Sequence, residues 1–521
     1  MRQTRLLVLG FDAMDVELVR RWAAAGYLPT FRRLFESAAW TEYCHSPEVT
    51  SGSVFPSINT GLGPLRHDGQ EYLRLRDGSY QLRFCRPADI KGDPFWASFV
   101  QADRRILLAD VPFTMPKPEY GGKQFSGWGS HDAWPWRRMA VPSGLLRALS
   151  AEFGAHPVPY CNNYTTETNS LLRFRLGLLT GIERRTAILR SLIVRRDWDL
   201  LYGVYAEPHC AGHLMWHIED ETHPLHSPEQ LAAVGHALRE IYAAMDRALG
   251  ELLACAGTDT TCVTFFSHGM GPNYHAVHLF PEIVDRFNRR WAGESLLPDG
   301  ATDAMKGSGL DRLWKASIHG IPIAWRQRAR EHLPTSLRVW LFMRRMERSR
   351  QWSRMPAFPL PMDGFSALRV NLAGRDPKGQ IRAGEEYRRL LDALVAELSR
   401  LMNAETGEPV VARSFRADQQ VDPVTMGTGP DLIIWWSNSA PIRTLRSPTL
   451  GSITGECPDV RTGEHVMRGM LLISHARAKP GHHQIEGMSA MDIPATLCDL
   501  AGLRPAGRLD GVSRRKIFVV D

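Results

Sequence analysis

Residues Glu207 to His217 read EPHCAGHLMWH. His209, His213 and His217 recur at every fourth position, so on a helix they share one face, and neighbouring imidazoles can reach one metal ion. The polar stripe of an ordinary helix has the same spacing, so chemistry here needs partners from elsewhere in the chain. Asp12 ends the apolar run RLLVLGFD, and His268 follows the apolar run TTCVTFF and is followed by Gly269. An acid just before a helix is also an ordinary N-cap. Asp15, which directly precedes the periodic segment VELVRRWAA, is the better cap, and this leaves Asp12 for ligation.

The elements that must position these residues alternate in type. RLLVLGFD (Arg5–Asp12), RILLADVPF (Arg105–Phe113), WDLLYGVYAE (Trp198–Glu207), TTCVTFFSHG (Thr260–Gly269) and RGMLLIS (Arg468–Ser474) read as buried strands. Helical patterns separate them: DVELVRRWAAAG, GIERRTAILRSLIVRR, AAVGHALREIYAAMDRALGELLACAG and, near the end, MDIPATLCDLAGL. The alternation predicts an α/β fold with a mostly parallel sheet and helices on both faces. Such sheets bind ligands at the carboxyl ends of their strands. Asp12, His209 and His268 all lie at or just past such ends.

The chain has 521 residues, too many for one compact core. The expected division is a core in two parts, 1–280 and 365–521, with a helical insertion or cap at 281–364. The net charge of +7, from 63 Lys and Arg against 56 Asp and Glu, favours anionic small molecules without pointing to specific nucleic-acid binding. Much of the basic character gathers in WRQRAREHLPTSLRVWLFMRRMERSRQWSR (Trp325–Arg354). That segment reads as a solvated helix with one apolar face. The sharper reading is peripheral contact with an anionic surface. The eight cysteines form no CxxC pair, and the N-terminal apolar run is too short for a secretory h-region. Both features predict a reduced, cytoplasmic protein. No oligomeric state follows from the pattern.

The hydroxyl- and glycine-rich stretch SPEVTSGSVFPSINTGLGPLRHDG (Ser46–Gly69) brings a family into view. The sequence resembles the alkaline phosphatase superfamily, in its type I phosphodiesterase/nucleotide pyrophosphatase branch. The signature is carried by NTGLGPLRH, YAEPHCAGHLMWH, VTFFSHGM, TGEHVMRGMLLIS and the closing IEGMSAMDIPATLCDLAGLRPAGRLDGVS, in the family's order. The resemblance covers 1–280 and 365–521. It implies an alkaline-phosphatase-like fold, a hydroxyl nucleophile that forms a covalent phospho-enzyme, and two divalent metals at the phosphate. It places Ser51 at the nucleophile, with Thr50 one residue off as the fallback. Asp12, His268 and Ser51 would hold one metal, and His209, His213 and His465 the other. Imidazole and carboxylate donors suit zinc, with manganese the alternative.

Two departures stand in that pattern: His209 and Ser267 occupy positions where the family carries aspartates. They remove two formal negative charges, so one metal or two is an open choice, and Glu207 or Asp15 is the candidate compensating acid. His217 has no family counterpart and reads as a helix-surface or supporting residue. His482 and His483 read as substrate contacts. The resemblance implies a metal-dependent phosphohydrolase, most simply a phosphodiesterase acting on a small phosphate ester. The alternatives are a phospho- or sulfo-transfer enzyme on the same fold, or a non-catalytic member that binds a phosphorylated ligand.

Overall fold

The structure, a computed structural model, describes residues 4–129, 138–158, 161, 164–293, 337 and 352–520. Apart from Leu337 and 352–354, the basic segment 325–354 lies outside the described residues, as does most of the expected insertion. The chain gathers into two compact units. The first comprises Met1–Glu71, Arg86–Asn273 and Asp459–Asp521, and the second Tyr72–Cys85 and Tyr274–Pro458. This division differs from the boundaries read in the sequence, since residues 365–458 belong to the second unit.

The first unit is built on a nine-stranded sheet. Its strands in chain order are β1 (Arg5–Phe11), β2 (Ala39–Cys44), β3 (Ile106–Ala109), β4 (Lys123–Ser126), β5 (Met139–Val141), β6 (Leu200–Tyr205), β7 (Thr260–Phe266), β8 (Arg468–Ser474) and β9 (Gly481–His482). Their spatial order is β9-β2-β8-β7-β1-β6-β3-β4-β5. The central strands β7, β1, β6 and β3 are mutually parallel. β6 and β7 are buried at every position, as strands covered on both faces must be. β8 runs antiparallel to both β2 and β7, so the sheet is mixed on that side.

Helices flank the sheet: α1 (Ser51–Thr60), α2 (Thr168–Ile193), α3 (Glu207–Glu219) and α4 (Ala237–Ala256) carry most of the argument below. The helical pattern read across residues 232–257 is interrupted, because Gly235 takes φ +69° and ends the helix Pro228–Val234 before α4 begins. The core between sheet and helices includes Phe11, Phe31, Leu189, Tyr205, Met215, Tyr242 and Phe266. Among the described residues no helix is long and apolar enough to cross a membrane.

The second unit has its own core, around Leu368, Ile434, Leu390 and Leu445. It centres on an antiparallel sheet of Ala357–Leu360, Ser366–Val370, Leu432–Trp436 and Val411–Arg416, in that order. Its buried Asp431 takes a bidentate pair from Arg375 at 2.8 Å and a hydrogen bond from Tyr387.

Candidate active site

The site follows from strand register. Phe11 pairs with Tyr205 on one side and Phe266 on the other, so the three central strands end level. The residues that come next, Asp12, Ala206 with α3, and Ser267 with His268, therefore share one edge of the sheet. The ladder runs one step further: Asp12 N–H donates to the Tyr205 carbonyl and Ser267 N–H to the Phe11 carbonyl. Ala13 then turns the chain at φ +49°, a conformation a residue with a Cβ adopts only when its surroundings impose it.

α3 presents His209 and His213 one turn apart, and both are buried. The strand Gly463–Val466, paired with Gly269–Pro272, brings His465 against them. Gly463 allows that approach, since a Cβ there would sit 2.2 Å from the Gly212 carbonyl oxygen of α3. The Nε2 atoms of His209 and His465 lie 2.8 Å apart and those of His209 and His213 3.0 Å. A tetrahedral zinc with its usual ~2.0–2.1 Å bonds separates its nitrogens by about 3.3 Å, so a small expansion admits the ion. The other ring nitrogens are already directed elsewhere. His213 Nδ1 donates to the Gly463 carbonyl at 2.8 Å, and His465 Nδ1 lies 3.1 Å from Glu464 Oε1. The first contact holds the His213 ring so that Nε2 is the ligating atom, and the Glu464 carboxylate lies beside the His465 ring.

Asp12 and His268 border this cluster. Asp12 Oδ2 is 3.8 Å from His209 Nδ1, and the His268 and His465 rings meet edge to face at 4.6 Å between centroids. Ser267 sits between Asp12 and His268, its hydroxyl donating to Asp12 Oδ1 at 2.9 Å and lying 3.0 Å from His268 Nδ1. Burial, with His465, His45 and His213 nearby, holds His268 well below the ordinary imidazole pKa, so the ring is neutral.

Ser51 is the first residue of α1 and is buried. A hydroxyl there meets the positive end of the helix, where anionic oxygens are favoured. The preceding segment is anchored to the site, since His45 Nε2 donates to the Ser267 carbonyl at 2.7 Å. Thr50 is the N-cap, and its hydroxyl donates to the Gln70 carbonyl at 2.9 Å. His67, which closes the NTGLGPLRH signature, is a brace: it accepts from Gly69 N–H and bonds the Ser57 hydroxyl at 3.0 Å.

The remaining sequence candidates lie outside the cluster. His217 is held between the Thr462 hydroxyl and Gln230 at 3.0 and 2.8 Å. His482 lies tilted against Trp40 at the sheet edge, and His483 bonds the Lys479 carbonyl. Asp15 caps the helix Val16–Ala24 through Leu18 N–H, and burial raises its carboxyl to about 6. Glu207 faces away into a buried network: Arg185 donates to Glu207 Oε1 and Asp110 Oδ2, each at 2.9 Å, and His156 lies 3.1 Å from Glu207. Glu464 was not singled out in the sequence. Its only signal there is its place beside His465 in TGEH.

No family model matches the chain, and no curated protein matches it. Solved structures do. Phosphonoacetate hydrolase from Sinorhizobium meliloti 1021, in complex with phosphonoformate, superposes with a TM-score of 0.53 over 96% of each chain at 12% identity. The chain has the alkaline-phosphatase-like fold. The same hydrolase with phosphonoacetate gives a TM-score of 0.53 at 11% identity, again over 96% of each chain. Murine ectonucleotide pyrophosphatase / phosphodiesterase 5 gives 0.46 at 12% identity over 97% of each. On this fold the level strand ends and the three-histidine cluster fall at one edge of the sheet, where the α/β rule places a ligand.

Proposed function

We propose that the chain is a metal-dependent phosphohydrolase acting on a small phosphate ester, most simply a diester, with Ser51 as nucleophile. The observation that carries this reading is the convergence of the His209, His213 and His465 Nε2 atoms within bonding reach of one cation. The neutral nitrogen donors fit a borderline-soft divalent ion, zinc before manganese. Such an ion would polarise a phosphoryl oxygen and offset the charge that builds on phosphorus.

Ser51 Oγ forms the bond to phosphorus and its proton passes to solvent water. The ester P–O bond breaks, and the leaving group departs with the electron pair and takes up a proton from solvent. Water then attacks the phosphoserine, the bond from phosphorus to Ser51 Oγ breaks, and the hydroxyl is restored. Asp12 and His268 line the same edge as the histidine cluster and set its polar wall. The cytoplasm, with its reduced thiols, is the compartment this reading assigns. A screen of aryl phosphate diesters against monoesters with zinc-loaded enzyme tests the reaction class. Diester turnover that a chelator removes and zinc restores supports it, whereas no turnover of any ester moves the chain to a binding role.

Glu464 gives a second check. Its carboxylate accepts the backbone N–H of His465 at 2.9 Å and lies 3.1 Å from His465 Nδ1. Glu464→Gln is expected to weaken zinc binding by about 10- to 100-fold, read by competition with a chelating dye. An unchanged affinity would remove Glu464 from the site.

A further inference from the structure

Ser267 is fully buried between Asp12 and His268, and its contacts assign the direction of every proton among the three. A hydroxyl carries one proton, and an ionised carboxylate only accepts. That proton therefore goes to Asp12 Oδ1, and Ser267 Oγ accepts Ala13 N–H at 3.2 Å. His268 Nδ1, 3.0 Å from the same oxygen, must then be the protonated nitrogen and donate to it. The chain runs His268 to Ser267 to Asp12. It leaves Nε2 as the lone-pair nitrogen of His268, buried and without a hydrogen-bond partner among the described residues.

A second divalent cation at this place is poorly served. Asp12 and His268 belong to no converging group of three or more His, Cys, Asp or Glu side chains among the described residues. Two divalent ions side by side would set four positive charges against the two carboxylates of Asp12 and Glu464, since His209 and Ser267 are neutral donors. Glu207 brings no relief, because it is committed to Arg185.

We propose that the chain holds one divalent cation, at His209, His213 and His465, and that the chain His268–Ser267–Asp12 stands where the two-metal pattern of the resembled family puts its second ion. In that arrangement His268 serves the site as a hydrogen-bond acceptor through Nε2, and Ser267 is the residue that excludes the second ion. The inference rests on the three-histidine cation site of the proposed function and goes beyond it in fixing the number of ions and the part played by His268.

The test is a count of ions per chain. Metal-stripped protein is reconstituted with zinc, freed of excess by gel filtration and measured by elemental analysis, with circular dichroism to check folding. The expected counts are one for the native chain, two for Ser267→Asp, one for the neutral isostere Ser267→Asn, and none for His213→Ala. Two ions on the native chain, or one on Ser267→Asp, overturns the inference and leaves the proposed function standing. Retention of one ion by His213→Ala overturns it as well, by placing the ion at Asp12 and His268. If Ser267→Asp does not fold, the native and His213→Ala counts decide the matter alone. No ion on the native chain instead overturns the proposed function itself.

Discussion

Ser51→Ala is expected to lower turnover of a phosphodiester by on the order of 10³-fold or more, with zinc binding retained. In the proposed reaction the loss falls on kcat, because the hydroxyl would make its bond to phosphorus only on the way through the transition state. The ion is expected to stay, since the three proposed donor nitrogens come from α3 and the strand Gly463–Val466 rather than from α1. Thr50→Ala behaves differently. It removes a helix cap and the hydrogen bond to Gln70, so it costs stability, typically ~1 kcal/mol for a lost N-cap, and leaves most of the activity. Near-native turnover in Ser51→Ala together with collapse in Thr50→Ala would move the nucleophile by one residue.

The largest stability effect is expected at Arg185. Its guanidinium is buried and donates to Asp110, Glu207 and the carbonyls of Val204 and Gly129. Asp110 in turn accepts the backbone N–H groups of Gly127, Trp128 and Gly129. Arg185→Met leaves two carboxylates in the interior without their counter-charge, which is expected to cost about 3–5 kcal/mol in urea unfolding. A loss below about 1 kcal/mol would show that water or another cation reaches them.

The pH dependence carries a sign. Burial alone would raise the Glu207 carboxyl, but Arg185 and His156 hold it down at about 2. A depressed folded-state pKa contributes stability that is present above the unfolded value, near 4.5, and is lost as pH falls towards 2. In Arg185→Met that slope reverses, because an unpaired buried carboxyl is stabilised by taking up a proton.

How much of this is legible in the sequence depends on how local the cause is. The strands β1, β6 and β7 are readable because full burial makes each an unbroken apolar run, and Asp12 and His268 are readable because they end such runs. β2, AWTEYC, escapes the same reading, since it mixes polar with apolar residues next to the edge of the sheet. The Arg185 network escapes it too. Its partners lie 75 and 22 residues away, and an arginine in RRTAILRSL looks like one of a helix's solvent-facing cations. Glu207, a candidate acid for the metal in the sequence, is turned aside by that unseen partner. The second unit's sheet is assembled from Ala357–Trp436 segments whose apolar runs resemble those of the first unit, and no change of composition marks the crossing at Tyr274 or Asp459.

The most direct measurement is an acid quench of the zinc-loaded enzyme during turnover of an aryl phosphodiester, followed by peptide mass spectrometry. The account predicts a phosphoryl adduct on Ser51, absent from Ser51→Ala. Turnover with no covalent adduct, or an adduct on Thr50 or a histidine, would contradict it.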